Sequence, residues 1–232
     1  YGKLYLKDLL REKYNIDLVK YNDCGCMIYD LNNFIKGFGG INETKTAIKH
    51  FRKEVKKAGF KGLHLQTRID DFDSTPRITN AKNTIEQYKL LIKELGFDSF
   101  THYQMVDMEA SEMEHADPTP YKERLKVLKR EFERIDNANY GVPYFPHFSV
   151  GWDSNPRYTV VARNILTDCT PNEIEKACRI AKEYIDKHPE LPVPLVTINS
   201  WNEWTETSYI EPDDINGYGY LEAIKKVFVD GK

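Results

Sequence analysis

Short apolar, β-prone runs alternate with amphipathic stretches five times along this chain, and that alternation constrains the fold more than any other feature. The runs are "CMIYD", "GLHLQT", "SFTHYQ", "YFPHFSV" and "LVTINS". Between them apolar residues recur at helical spacing. One stripe is Ala47, Phe51, Val55 and Ala58, closed by Gly59, and another is Ile85, Tyr88, Ile92 and Leu95, closed by Gly96. A third is Tyr121, Leu125, Leu128, Phe132 and Ile135, with Thr119 as expected N-cap and Pro120 in the first turn. Ile174, Ala177, Ala181 and Ile185 follow Thr170, Pro171 and Glu173, the arrangement of a capping box. "LYLKDLLREKY" near the start reads as the tail of an earlier helix. Such alternation predicts βα units around a parallel sheet.

Five units fit a doubly wound open sheet of five strands. They also fit the last five units of a (β/α)8 TIM-type barrel whose first three precede residue 1. Periodicity leaves both open. In either case the chain, at 232 residues, is expected to form a single domain over residues 1–232. The long connections follow the strands, at 30–42, 67–82, 104–118, 150–169 and 200–218, whereas helices return to strands quickly. Loops that leave the carboxyl ends of parallel strands share one face, the face on which such folds place their chemistry.

The residues at those strand ends are polar or aromatic. Tyr29 and Asp30 end the first strand, His64 and Gln66 the second, His102 and Tyr103 the third. His147 ends the fourth, followed by "GWDSNPR" with Trp152, Asp153 and Arg157. After the fifth comes "NSWNEWTETSYIEPD", with Trp201, Asn202, Glu203, Trp204, Glu206 and Tyr209. A helical turn after the strand would bring Glu203 and Glu206 to one side, roughly 5–6 Å apart at their β-carbons. Two carboxyls that close suit glycosidic cleavage with retention, one protonated beside the leaving oxygen and the other nearby. Indoles offer flat faces to the C–H surfaces of sugars. Singly, each residue has a plainer role: core histidines, packed tryptophans, a loop pinned by Asp153 and Arg157, and a solvated acidic run at Glu211, Asp213 and Asp214. Their conjunction favours a carbohydrate site.

Other chemistries find little support. The net charge is −3 with basic residues scattered, which disfavours nucleic acid as a partner. No apolar run is long enough to span a bilayer. Cys24, Cys26, Cys169 and Cys178 fit neither a CxxC motif nor zinc knuckles, and small buried apolar packing is their expected role. HExxH, P-loop, GxGxxG and GxSxG motifs are absent, and "EPDDINGYGYLE" fails the EF-hand frame because Pro212 would fall at its first position. No metal or cofactor is therefore expected. The "DFD" at 71–73 is a weak nucleotide-sugar signal. Residue 1 is Tyr, so no leader is readable and the compartment stays open.

The last third, "NSWNEWTETSYIEPDDINGYGYLEAI", resembles the end of the glycoside hydrolase family 99-like (WbsX-like) domain, with "PYFPHFSVGWDSNPR", "FRKEVKKAGFKGLHL" and "LGFDSF" fitting its earlier segments. The resemblance covers most of residues 20–230. It implies a (β/α)8 barrel and endo-acting, retaining cleavage of α-mannosidic linkages in an oligo- or polysaccharide. It further implies that Glu203 acts as base on the sugar's own 2-hydroxyl, forming a 1,2-anhydro sugar, and that Glu206 is the general acid and then base. Trp201, Trp204, Trp152 and Tyr209 would wall the site, with Asn202, Asp153, Arg157, His147, His102 and Tyr103 contacting hydroxyls. The alternatives are a glycan-binding module and a glycosyltransferase of O-antigen or capsule assembly, the label the WbsX-like branch often carries. Two departures stand out: Thr207 follows the second acid where the family usually has Gly, and "CGCMIYD" replaces the usual "KPVFLIY" strand.

Overall fold

A computed structural model describes residues 23–69, 84–108, 118–159 and 165–231. The helix tail expected at 4–14 and the "DFD" at 71–73 lie outside these residues. Contacts divide the chain into two compact units, Tyr1–Arg68 with Asp73–Phe100, and Ile69–Phe72 with Thr101–Lys232.

The first unit is βα in character. β1 (Asp23–Ile28) pairs in parallel with β2 (Gly62–Arg68), Asp23 opposite Gly62, and the sheet order is β1-β2-β3 with β3 at Ser99–Thr101. Between β1 and β2 run α1 (Leu31–Phe38) and α2 (Ile41–Lys57), and α3 (Thr84–Leu95) precedes β3. Residues 30–42, expected as a loop, contain α1: Asp30 caps it by accepting from the Asn33 N–H at 2.8 Å, and Gly39 ends it at φ 92°. The two glycine-closed helices end alike. After α2, Phe60 N–H reaches Val55 O at 3.3 Å, and after α3, Phe97 N–H reaches Ile92 O at 3.1 Å. In each case a glycine with positive φ lets the chain reverse and drives a phenylalanine into the core. Arg52 on α2 ties both reversals together, donating to Leu63 O, Gly96 O and Asp98. The buried face of α2 runs through Thr44 and Ile48; Phe51, from the expected stripe, lies at a more exposed edge, 6.0 Å from the Phe38 ring.

The second unit carries the larger core. Its helices are α4 (Tyr121–Ala138), α5 (Pro171–Lys187) and α6 (Gly219–Phe228). The N-cap of α4 is Pro120 and not Thr119, because Thr119 and Pro120 form β4, which pairs with β6 (Leu166–Thr167). Thr170 caps α5 as expected, accepting from Glu173 N–H. The apolar stripes of α4 and α5 bury Tyr121, Leu128, Ile135, Ile174, Ala177 and Ala181, and Cys178 packs beside them. β5 (His147–Phe148) pairs in parallel with β7 (Thr197–Ile198). These strands are short because the run entering β5 holds Pro143 and Pro146, which have no N–H to give a ladder. The strands form four separate sheets, so among the described residues neither a single five-stranded sheet nor a closed barrel is present. No described helix is long and apolar enough to cross a membrane.

Candidate active site

Two loops of the second unit converge where the paired strands β5 and β7 end. One follows β5 and carries "GWDSNPR"; the other follows β7 and carries "NSWNEWTET". Val150 N–H donates to Asn199 Oδ1 at 2.9 Å, and Ser208, fully buried, donates to Val150 O at 2.6 Å. Asp153 N–H donates to Glu206 O at 2.7 Å. The tightest approach is at Gly151, φ 64°, where a β-carbon would overlap the Thr207 carbonyl oxygen. Glycine is required there twice over, for space and for backbone conformation.

The acidic segment does not continue as a helix. It folds into a hairpin of β8 (Asn202–Glu203) and β9 (Ser208–Tyr209), with Glu203 opposite Ser208. The connection is one 3-10 turn, Trp204–Glu206, closed by Thr207 at φ 52°, ψ 32°. At that left-handed position glycine is the expectation, and Thr207 stands there instead. A β-branched side chain in this region is strained, and the Thr207 hydroxyl offsets little of it with a 3.4 Å bond to Asp153 O.

Arg157 joins the two loops. Asp153 accepts from Asn155 N–H and Nδ2 at 2.9 and 2.8 Å, shaping the 3-10 turn Asn155–Arg157. The guanidinium then gives Nη2 to Glu203 Oε2 at 2.8 Å and Nη1 to Glu206 Oε1 at 2.6 Å. Nε and Nη2 also donate to Thr205 Oγ1. The two carboxyls share one cation but not one environment. The Glu203 side chain is 45% exposed, whereas that of Glu206 is 10% exposed and its Oε2 has no hydrogen-bond partner. Burial raises the Glu206 pKa above the ordinary carboxyl value; Arg157 opposes that shift and the Glu203 charge adds to it.

Aromatic residues crowd the same hairpin. Trp204 stacks on Tyr209 with centroids 3.8 Å apart and planes at 22°. Trp201 and Trp204 remain 49% and 46% exposed, and Asn202 is also exposed. Trp152 is half-buried and bridges through its backbone to Leu166. Sequence reasoning missed Thr205, and it missed Glu211, whose carboxylate accepts both indole N–H groups, from Trp201 at 2.9 Å and from Trp204 at 2.8 Å. The pair of indoles ten and seven residues upstream was the available signal.

The histidines sit elsewhere in this unit. His147, 1% exposed, has Nδ1 at 2.9 Å from Thr197 Oγ1 and Nε2 at 3.1 Å from Ser149 Oγ. Burial, with His102 nearby, holds its pKa well below the ordinary value, while a hydrogen bond to the Tyr103 backbone works the other way. His102 is buried between Tyr144 Oη, at 2.9 Å, and Glu131 Oε1, at 3.2 Å. Burial would raise the Glu131 pKa, but His102 and Arg134 together hold it far below the carboxyl range. Both histidines therefore have each ring nitrogen engaged by protein groups, whereas Arg157, Glu203, Glu206 and the hairpin aromatics form one cluster. Among the described residues no group of three or more His, Cys, Asp or Glu is disposed to hold a metal ion.

The family model described as glycosyltransferase WbsX matches residues 28–224. Two curated relatives, each called uncharacterized protein WxcX and from two strains of Xanthomonas campestris pv. campestris, are 29% identical over 101 residues, 44% of this chain and 14% of theirs. A solved chain titled glycoside hydrolase-like protein superposes with a TM-score of 0.52 at 17% identity, covering 87% of this chain and 53% of that one. At that identity the likeness concerns the mixed α/β fold alone. This chain thus spans about half the length of the solved relative and a seventh of the curated ones in the matched region.

Proposed function

The chain belongs to the WbsX glycosyltransferase family, and from that premise we propose that it is a carbohydrate-active enzyme that cleaves α-mannosidic or related linkages with retention. The observation that carries the reading is the single guanidinium shared by two carboxyls in unlike surroundings, Glu203 open and Glu206 buried. Pairs of acids whose environments differ are how one site holds a base and an acid together. Here Glu203 removes the proton from the sugar's 2-hydroxyl as O2 attacks C1, giving a 1,2-anhydro sugar. Glu206 donates its proton to the leaving glycosidic oxygen as the C1–O bond breaks. Oε1 of Glu206 accepts from Arg157, and Oε2 is buried without a hydrogen-bond partner, the setting that favours the protonated carboxyl. In the second half Glu206 takes a proton from water, the water oxygen attacks C1, and O2 recovers its proton from Glu203. Trp201, Trp204, Tyr209 and Trp152 line the sugar path, with Asn202, Asp153, Arg157 and Tyr103 in its polar surroundings, whereas His147 and His102, buried and fully engaged, support it from the interior. In this reading the fold is of TIM-barrel type, supported by the parallel pairing of β1 with β2 in the first unit and of β5 with β7 in the second.

The test is turnover of α-mannan and O-antigen-type glycans by the parent protein, Glu203→Gln and Glu206→Gln. General acid–base groups contribute about 10²–10⁴-fold, so both variants should fall by that order. Parent-level turnover in both would sink the assignment. Glycosyl transfer is the second reading, favoured by the description of the matching family. Calorimetric binding of a sugar nucleotide would select it. Undiminished glycan binding in both Gln variants, without turnover by the parent, would select a binding module.

A further inference from the structure

Glu211 sits in "IEPD", where an acidic run would ordinarily be a solvated loop, yet both of its oxygens are committed. Oε1 accepts from Trp201 Nε1 at 2.9 Å and Oε2 from Trp204 Nε1 at 2.8 Å. The backbone reinforces the arrangement, since Ile210 and Glu211 N–H both donate to Trp201 O, at 2.9 and 3.2 Å. One face of Trp204 is occupied by the Tyr209 ring, and Tyr209 meets Tyr220 edge-on at 6.1 Å. Two large apolar rings are thus held half in solvent with their polar edges satisfied. Exposed indoles need no carboxylate to satisfy them, because water does so. What a carboxylate adds is direction: charge-assisted bonds to both N–H groups fix the rotation of each ring about its side chain.

We propose that Glu211 is the positioning residue of a two-indole stacking platform that receives the apolar face of a pyranose ring, a subsite of the glycan-binding cleft. The inference rests on the glycan reading above and adds a residue and a role to it. Its physical basis is preorganisation. Ordering a free side chain on binding opposes association, and a ring already fixed avoids that cost. Glu211 touches neither the reacting bond nor the two catalytic carboxyls in this role; it acts through Trp201 and Trp204.

Glu211→Gln separates this role from simple packing, because Gln keeps the size and removes one acceptor. Its amide NH₂ must face one of the two indole N–H donors, so one ring is released. In ¹⁵N-indole spectra of the full chain, which has three tryptophans, the signals of Trp201 and Trp204 should shift while Trp152, assigned through Trp152→Phe, stays in place. In gels containing α-mannan the same variant should be retarded about tenfold less strongly, the equivalent of about 1.4 kcal/mol, with kcat unchanged and KM raised. Unmoved indole signals overturn the clamp. Shifted signals with unaltered KM and retardation overturn the platform and leave Glu211 a structural staple. A parent protein that no glycan gel retards, but whose Gln variant shifts both indoles, shows the fault to lie in the glycan reading, and the platform falls with it.

Discussion

Arg157 donates from Nη1 to Glu206 Oε1 at 2.6 Å, across 49 residues of chain. Its other terminal nitrogen holds Glu203, so one planar cation sets the separation and orientation of both acids. Lysine carries the charge but not the fork. Arg157→Lys is therefore expected to lose about 10²-fold in kcat on α-mannan, the scale of a misplaced acid or base. Arg157→Lys with parent kcat would show that the fork does not position the pair.

The Glu206 carboxyl keeps its proton to a higher pH in the folded protein than in the unfolded chain. Protonated Glu206 is the acid, so kcat/KM should fall as pH rises through that elevated value. The sign for stability is the same. The contribution of this group is fully present below its ordinary pKa and is lost as pH rises through the window between its ordinary and raised values. Glu206→Gln should flatten that part of a stability-versus-pH curve measured by urea titration. An unchanged curve would mean that burial does not perturb this group.

Gly151 and Thr207 make a paired test of the loop contact. Gly151→Ala puts a β-carbon onto the Thr207 carbonyl oxygen at a backbone angle that alanine resists. Both penalties act together, so a loss of about 2–3 kcal/mol in unfolding free energy and a collapse of activity are expected. Thr207→Gly relieves a left-handed threonine, worth about 1–2 kcal/mol, against about 0.4–1 kcal/mol of added freedom in the unfolded chain. A small net stabilisation should result. Destabilisation by Thr207→Gly would show that the hydroxyl contact to Asp153 outweighs the strain.

His147 is buried in the neutral form. Unfolding lets it take a proton below its ordinary value of 6.5, so it stabilises the fold above that pH and the stabilisation is lost as pH falls below it. Acid titration of unfolding should steepen below pH 6.5, and His147→Gln should remove part of that slope while lowering stability at neutral pH through the lost bonds to Thr197 and Ser149. A slope identical in both proteins would place the proton uptake elsewhere.

The reading from sequence went furthest where the cause is local. Gly59 and Gly96 end their helices with Phe60 and Phe97 buried behind them, because a glycine–apolar pair after an amphipathic stripe encodes its own reversal. Thr170 with Glu173 likewise announced α5. The helix at Leu31–Phe38 escaped, since eight residues beside other loop signals give too few turns for a period to show. Within the site, "NEWTE" marked the hairpin, but spacing alone suggested a helical turn where the chain makes a strand, a 3-10 turn and a strand.

What the sequence by itself determined is the alternation of β-prone runs and amphipathic helices, the glycine reversals after two of them, the Thr170 cap and the cluster of acids and indoles at one strand end. Those depend on contacts within a few residues. Only the tertiary structure decided that Arg157 belongs to Glu203 and Glu206, that Glu211 belongs to Trp201 and Trp204, and that His102 and His147 are engaged by interior partners. Partners for a charge or a ring are chosen by which chain segments packing brings together, and the Gly151–Thr207 contact that sets this choice joins residues 56 positions apart. The local code names the side chains; the close approach of two loops assigns them to one another.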